Sequence, residues 1–580
     1  RRSVGTSQKS FRNTGMGEKS KAAKNIPKIS PAAVVCLSAT VILALFFLHP
    51  EGGFFSWSAA PLPDITAVTW NMAAINNNPF EYWITSEDQT YNQLMEDVSG
   101  FINEPGDRDV PVSSVFTPAM FEELTNLMLE AGWDKSDVDK TRSRWETEYK
   151  DRRIISEFIK DGVLGKKRLA SMPDRYTNTI NTADGRTVLR PTVINCYEGG
   201  VGSVGAWWEN WKAFLFTERV SVKGKDGGVS EKAIYELLAP IKKSKYPTIT
   251  EDEEAISIPL QTMACAIFDA ILIHMMGSLA PHWDDLRGEM CDKLNRKKNQ
   301  RTVEILETTY ANADVQFLQE VAGEFSNVAL KSALGKKYFD VQLPEGLDSK
   351  RDQNSLILLK KGLFDSFEEV TDAVVNGYAG PLPIDVAGVA PQASGAPCPV
   401  SPGDLFVLKA IRKRDNQPFL FASFHGDTNG LATAPVVAAV HKYATQVVPD
   451  STLLFGMDAN TYENPKADQQ GVTAFAEFYS GLDLNSCYGP TPNPKNYTTF
   501  HARTYLQPQL NKAIRYAEKD EKGDRNPKDF IVFHSKEYKV LQTTKDNTGD
   551  QKYTEGMVFP TLRFPSDHGI TWTKLLRTGN

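Results

Sequence analysis

The stretch Phe564-Pro565-Ser566-Asp567-His568-Gly569, followed by an apolar run with Ile570 and Trp572, decides how this chain is read. An acid beside a histidine, just before a β-prone run, puts both side chains at the mouth of a strand. There a carboxylate can hold a cation while the imidazole moves a proton or steadies a phosphate. One such triplet is weak evidence. Its weight comes from polar residues that end other strand-like runs.

Asp64-Ile-Thr-Ala-Val-Thr-Trp-Asn71 ends in Asn71, and Asp314-Val-Gln-Phe-Leu-Gln-Glu320 ends in Glu320. FLFASFH ends in His425, LLFGMDAN carries Asp458 and Asn460, and Asp529 opens DFIVF. Polar residues at all these strand ends predict a common rim where two sheets present side chains to one pocket. Singly, each has an ordinary reading. Asn71 is then a satisfied strand-end amide, Glu320 a cap or ion-pair partner, and Asp458-Ala459-Asn460 a turn.

The chain has 580 residues, 41% hydrophobic and 24% charged, which suits globular units with full cores. Its net charge of −7 is uneven: the first thirty residues hold eight Lys and Arg against Glu18, leaving −14 on the rest. An acidic body argues against a general nucleic-acid binder, though not against a nuclease with a local basic groove. The sequence begins at Arg1, and further residues are expected before it.

Residues 1–31 read as a basic cytosolic tail and 32–49 as a single transmembrane signal anchor, with 50–63 a linker. The basic flank puts the N-terminus in the cytosol and the remainder in the lumen or outside, within the secretory pathway. Ser58-Ala59-Ala60 offers a cleavage site, but more than thirty residues precede the apolar run, long for a cleavable signal. Five cysteines follow the span without a CxxC pair, so no zinc site is indicated; one or two disulfides fit a lumenal body. Asn496-Tyr497-Thr498 is a sequon usable on that side.

Residues 76–298 differ from their flanks. Phe121, Leu124 and Met128, and Trp207, Trp208, Trp211 and Phe214, recur at helical spacing and predict a mostly helical insertion. The apolar run Ile256–Ala280 invites a second membrane crossing, but Asp269 and His274 argue for a buried helix. Lys293, Arg296, Lys297, Lys298 and Arg301 read as a solvated basic face. Gly380–Gly403 reads as a long irregular loop, and a helix is expected from about Thr433 to Val447.

In order, TWNMA, LQE, FHGDTNG, GMDAN, KDFIVF and PSDHG resemble the endonuclease/exonuclease/phosphatase superfamily of metal-dependent phosphoesterases. DFIVFHSKEYKVL and FPSDHG are most similar to its deadenylase and nocturnin-like branch. The resemblance covers 64–75 and 299–580 and skips 76–298, an insertion that departs from the family pattern. It implies an α/β fold, a four-layer α-β-β-α sandwich, interrupted after the first strand.

The resemblance also implies Mg²⁺, or Mn²⁺ in its place, held by Glu320 with Asn71 and Asp567. Hard Mg²⁺ keeps several waters, so few acids suffice. Asp458 would orient or deprotonate the attacking water, with Asn460 on the phosphate. His568 would handle a proton or stabilise the phosphate, its ring fixed by Asp529, and His425 would donate to a non-bridging oxygen. Which of Asp458 and His568 is the base stays open. Arg503, Tyr505 and Gln507 are candidate substrate contacts. The expected function is hydrolysis of a phosphoester, first a nucleic-acid or nucleotide phosphodiester. A sphingomyelinase-like lipid phosphodiesterase, a small-molecule phosphatase and a catalytically silent binding protein are the alternatives.

Overall fold

A computed structural model describes residues 62–224, 227–347, 351–508 and 523–578. The expected tail, anchor and most of the linker (1–61) lie outside the described residues.

Alternating apolar residues build two six-stranded sheets. In spatial order the first holds Tyr538–Asp546, Ile570–Arg577, Ile65–Asn71, Val315–Val321, Asn354–Lys360 and Phe339–Gln342. The second holds Leu484–Ser486, Asp529–His534, Thr452–Asp458, Gln417–His425, Leu405–Arg412 and Phe364–Glu369. Each has one parallel pair, Ile65–Asn71 with Val315–Val321 and Gln417–His425 with Thr452–Asp458; the other pairings are antiparallel. The C-terminal ends of these four strands carry Asn71, Glu320, His425 and Asp458.

The period of two sorts the side chains. Ile65, Ala67, Phe317, Phe421, Leu454 and Ile531 fill the layer between the sheets. Val68, Trp70 and Leu318 point outward against helices Lys298–Thr308 and Phe325–Lys331. On the other outer face, Leu420, Phe455 and Val532 pack on helices Thr433–Gln446 and Val472–Gly481. The result is helix, sheet, sheet, helix. Gly456 marks the closest approach, since a Cβ there would lie 2.4 Å from the Phe317 ring.

Between the first and second of these parallel strands, the chain makes a body with its own apolar core. It is largely helical but includes two hairpins, Thr179–Asn181 with Thr187–Leu189 and Arg219–Lys223 with Val229–Ala233. At its centre runs the 23-residue helix Ser257–Leu279, long and apolar enough to cross a membrane, with 78% of its apolar window buried inside the protein. Asp269, within it, accepts from Thr192 Oγ1 (2.7 Å) and Trp211 Nε1 (3.0 Å) and pairs with buried Arg190 (3.0 Å). A paired, hydrogen-bonded carboxylate is how an apolar core tolerates a charge. Trp207, Trp208 and Trp211 are buried here as core, and a disulfide joins Cys196 to Cys291.

Gly456→Ala is expected to lower stability by about 1–3 kcal/mol, the range for overpacking a filled core. Urea unfolding checks this, and an unchanged midpoint would show that the sheets are not closely packed there.

Candidate active site

Toward the strand ends the inter-sheet layer turns from apolar to polar. Thr69 Oγ1 donates to Gln319 Oε1 (3.2 Å), Gln319 Nε2 to Ser423 Oγ (3.0 Å), and Ser423 Oγ to the Leu318 carbonyl (3.0 Å). Beyond this buried, paired layer, at the strand ends, opens a cleft of ≈ 380 Å³ lined by Glu320, His425, Asp458 and His568 among others.

Strict alternation would turn Glu320 away from the partner sheet, because Phe317 and Gln319 already face inward. A register shift between Leu318 and Val321, with Glu320 at φ 49°, re-aims the side chain. Ala73 (φ 54°) and Asn460 (φ 47°), also lining the cleft, share the left-handed region. Such strain persists only where surrounding structure fixes it, and it gathers at functional sites.

Seven of the residues singled out in the sequence converge here. Asn71 Nδ2 donates to Glu320 Oε1 (3.0 Å) and to Asp458 Oδ2 (2.9 Å), and the Ala74 N–H donates to Glu320 Oε2 (2.9 Å). His425 Nε2 lies 3.3 Å from Glu320 Oε1 and 3.6 Å from Asp458 Oδ2. The Asn460 N–H donates to Asp458 Oδ1 (2.9 Å), and the Asn460 side chain lines the cleft. His568 Nδ1 meets Asp529 Oδ2 at 3.0 Å, while Nε2 lies 3.7 Å from Asp458 Oδ2.

Burial opposes charge on His568, but the carboxylates of Asp529 and Asp458 outweigh it and raise the imidazolium to about 10. Burial likewise opposes charge on Asp458, yet His568, His425 and Lys528 hold it below the usual carboxylate range. The ring is therefore cationic and Asp458 anionic near neutral pH.

Asp567 lies in the same cleft but faces other partners. It accepts from the Tyr82 hydroxyl (3.1 Å) and lies 3.6 Å from His501 Nε2. Among the described residues, ligand-type atoms within 4.8 Å of one another form two groups, Glu320–His425–Asp458 and Asp458–Asp529–His568; Asp567 is in neither. Arg503 reaches the cleft, paired with Glu81 (3.1 Å). Tyr505 and Gln507 do not. The Tyr505 hydroxyl donates to Asn103 Oδ1 (3.0 Å), and buried Gln507 donates to the Thr504 carbonyl (3.2 Å). Their segment is drawn away because Ala502 and Leu506 join the core of the 76–298 body.

Several cleft residues escaped the sequence reading. Ser566 Oγ donates to the Asn71 carbonyl (2.7 Å) and accepts from the His568 N–H (3.0 Å), tying the last strand's entry to the first strand's end. Lys528 is buried beside Asp524 (3.0 Å), and His501 sits 3.1 Å from the same carboxylate. Lys298, read as part of a solvated face, is instead buried and donates to the Ala73 and Ala74 carbonyls. Burial pulls its ammonium down to about 8 although Asp567 and Glu320 raise it. A cation inside a basic run leaves no separate signal except its place on the inward face of the helix.

Two carboxylates brought together from opposite sheets, with an amide and an imidazole beside them, fit a divalent cation. Oxygen donors and room for water suit Mg²⁺ or Mn²⁺. Asn71 Nδ2 donates to both acids while its Oδ1 accepts from the Ala73 N–H (2.8 Å), so Oδ1 becomes a ligand only when the amide turns over and gives up that bond.

Residues 109–288 match a family described as "Domain of unknown function (DUF8234)". No curated protein matches the chain. Among solved structures, the human Nocturnin catalytic domain with bound sulfate anion is similar at 12% identity, covering 50% of this chain and 89% of that one (TM-score 0.30). An endonuclease/exonuclease/phosphatase from Bacteroides vulgatus aligns at 13% identity over 50% and 94% (TM-score 0.31). D. rerio TDP2 complexed with single strand DNA product aligns at 12% over 48% and 91% (TM-score 0.29). At these scores the likenesses carry no argument about the site, which stands on its own residues.

Lys298→Met is expected to destabilise the protein by about 1–3 kcal/mol, because it strands the Ala73 and Ala74 carbonyls. A thermal or urea melt equal to that of the parent would mean that Lys298 is solvated.

Proposed function

We propose that this chain is a divalent-metal-dependent phosphoester hydrolase with residues 64–75 and 299–580 as its catalytic part. The observation that carries the reading is the Glu320–Asn71–Asp458 contact beside the Asp529–His568 pair, at one mouth shared by two sheets. Glu320 and Asn71 would hold Mg²⁺ or Mn²⁺, with Asp567 facing the same cleft. The ion supplies charge stabilisation on phosphoryl oxygens.

The protein's own groups divide the remaining work. Asp458, ionised, accepts the proton of the attacking water. His568, held cationic by Asp529 and Asp458, is placed to stabilise charge and to protonate the leaving oxygen. This charge pattern favours Asp458 over His568 as the base. His425 and Asn460 face the non-bridging oxygens, and Lys298 adds a positive wall. A catalytically silent protein would have no use for two acids held together at the cleft, Asp458 buried and Glu320 partly so, or for strain at Glu320.

The motif resemblance favours a nucleic-acid or nucleotide phosphodiester. A lipid phosphodiester or a small phosphomonoester is the second reading, supported by the acidic body. The N-terminal run 32–49 anchors the chain, with the catalytic part lumenal or extracellular. The Cys196–Cys291 disulfide and the half-exposed Asn496 of its sequon support that side of the membrane.

With Mg²⁺, hydrolysis of at least one of an oligonucleotide, sphingomyelin or a phosphomonoester panel is expected, and EDTA should abolish it. Glu320→Ala should lower kcat/KM by about 10³-fold or more with little change in melting temperature, as befits loss of a catalytic metal. His568→Ala should cost about 10²–10⁴-fold. Full activity in either variant removes that residue from the mechanism. In the native host, a glycosidase should shift the protein's mobility; an unglycosylated chain facing the cytosol would overturn the topology.

A further inference from the structure

Beside the cleft that holds Glu320 and Asp458 lies a second hollow, a groove of ≈ 970 Å³. One wall is the Thr179–Leu189 hairpin and the segment around Tyr197; the other includes Ala322, Glu324 and Asp352 next to the catalytic strands. Groove and cleft share Ile75. They also divide neighbours in sequence, with Asn76, Lys298 and Gln353 on the cleft and Asn77, Asn299 and Asp352 on the groove. A ligand could therefore lie in both.

The lining shows what kind of ligand. Five asparagines and four threonines make the lining polar and uncharged; Asn77 bonds both Asn295 and Thr179, Asn181 bonds Thr187, and Asn210 bonds the Gly200 and Ala206 carbonyls. Tyr197 and Phe214 add ring faces. The Tyr197 ring lies over Gly199, where any side chain would displace it, since a Cβ there would fall 2.3 Å from the ring. Charge excludes a polyanion. Glu198, Glu218, Glu324 and Asp352 line the groove against Arg186 and Arg296. Both arginines are occupied, Arg186 by Asp184 (3.0 Å) and Arg296 by Glu198 (3.3 Å). A phosphate backbone needs cations that this surface does not offer. Among the described residues, the Asn299 side-chain amide and the Tyr197 hydroxyl have no hydrogen-bonding partner. An open amide, an open phenol hydroxyl and a ring face in an otherwise polar, cation-poor lining match a sugar or polyol, whose hydroxyls pair both ways and whose C–H faces pack on rings.

We infer that this groove binds a neutral, hydroxyl-rich group, a sugar or polyol, carried by the molecule whose phosphoester lies at Glu320 and Asp458. That the bound group belongs to a substrate rests on the hydrolase reading; the binding itself does not. The test uses the full chain in detergent with EDTA, so that turnover is suppressed. Saturation-transfer NMR would compare short neutral oligosaccharides built from glucose, mannose, galactose or N-acetylglucosamine with a short oligothymidylate.

At least one oligosaccharide is expected to bind. Tyr197→Ala and Asn299→Ala, which break no internal hydrogen bond, should each weaken it about tenfold or more, while Glu320→Gln binds like the parent. The inference falls if no oligosaccharide binds, if both groove variants bind like the parent, or if oligothymidylate displaces the sugar. Sugar binding without turnover of any phosphoester leaves the groove standing and removes the hydrolase reading. Turnover without sugar binding does the reverse.

Discussion

The whole site depends on holding two carboxylates, Glu320 and Asp458, side by side in a buried cleft although they come from different sheets. Like charges in low dielectric repel strongly, so something must lie between them. In this structure it is the Asn71 amide, which donates one N–H to each acid. The sheets can then close on their apolar layer without ejecting either acid. Two imidazoles flank the pair, and the ring of His568 is drawn to the charged state by the acids it faces. Asp458 gains a positive partner in His568, and the charge of that ring is in turn favoured by Asp529 and Asp458. A cation between Glu320 and Asp458 would replace the amide's role more completely, which is why the arrangement suits a metal.

The 76–298 body is attached where this balance is most sensitive. It leaves the first strand at Asn71, and its opening residues pair with the segment after His501: the Trp83 N–H donates to the Ala502 carbonyl (2.9 Å) and the Thr504 N–H to the Glu81 carbonyl (2.8 Å). It returns at Lys298, whose ammonium bonds the Ala73 and Ala74 carbonyls, while the Ala74 N–H holds Glu320. Both ends are thus tied into the cleft wall. Tyr82, from the entering end, bonds Asp567. The body is built into the site, and its buried Arg190–Asp269 pair and disulfide fix the wall it presents.

The strand-end residues were legible in the sequence because a strand's alternation makes a terminal Asn, Glu or Asp conspicuous against its apolar neighbours. Buried helix Ser257–Leu279 was legible through Asp269, which would be costly in a bilayer. The contacts made by Tyr505 and Gln507 were not, since they depend on Ala502 and Leu506 joining a core formed two to four hundred residues earlier. Nor was the geometry at Glu320. Pattern alone points its side chain the wrong way, and only the left-handed backbone angle corrects it. Lys298, Lys528 and His501 were hidden for another reason: a buried cation and a surface cation look the same in composition, and only the carbonyls and carboxylates around them tell the two apart.

Those hidden cations separate the cleft from the groove beside it. In the cleft, Lys298 bonds carbonyl groups instead of a carboxylate, and the cationic His568 ring stands beside the acids, so an anion entering there meets positive charge. In the groove, both arginines are matched and the acids exceed them. A uniformly charged strand would gain in the first and lose in the second. A molecule with one phosphoester and an uncharged polar extension gains in both. The 76–298 body closes the groove with Glu198 and Glu218 against Arg186 and Arg296, a wall without net charge, while Glu324 and Asp352 on the opposite wall make the groove acidic as a whole.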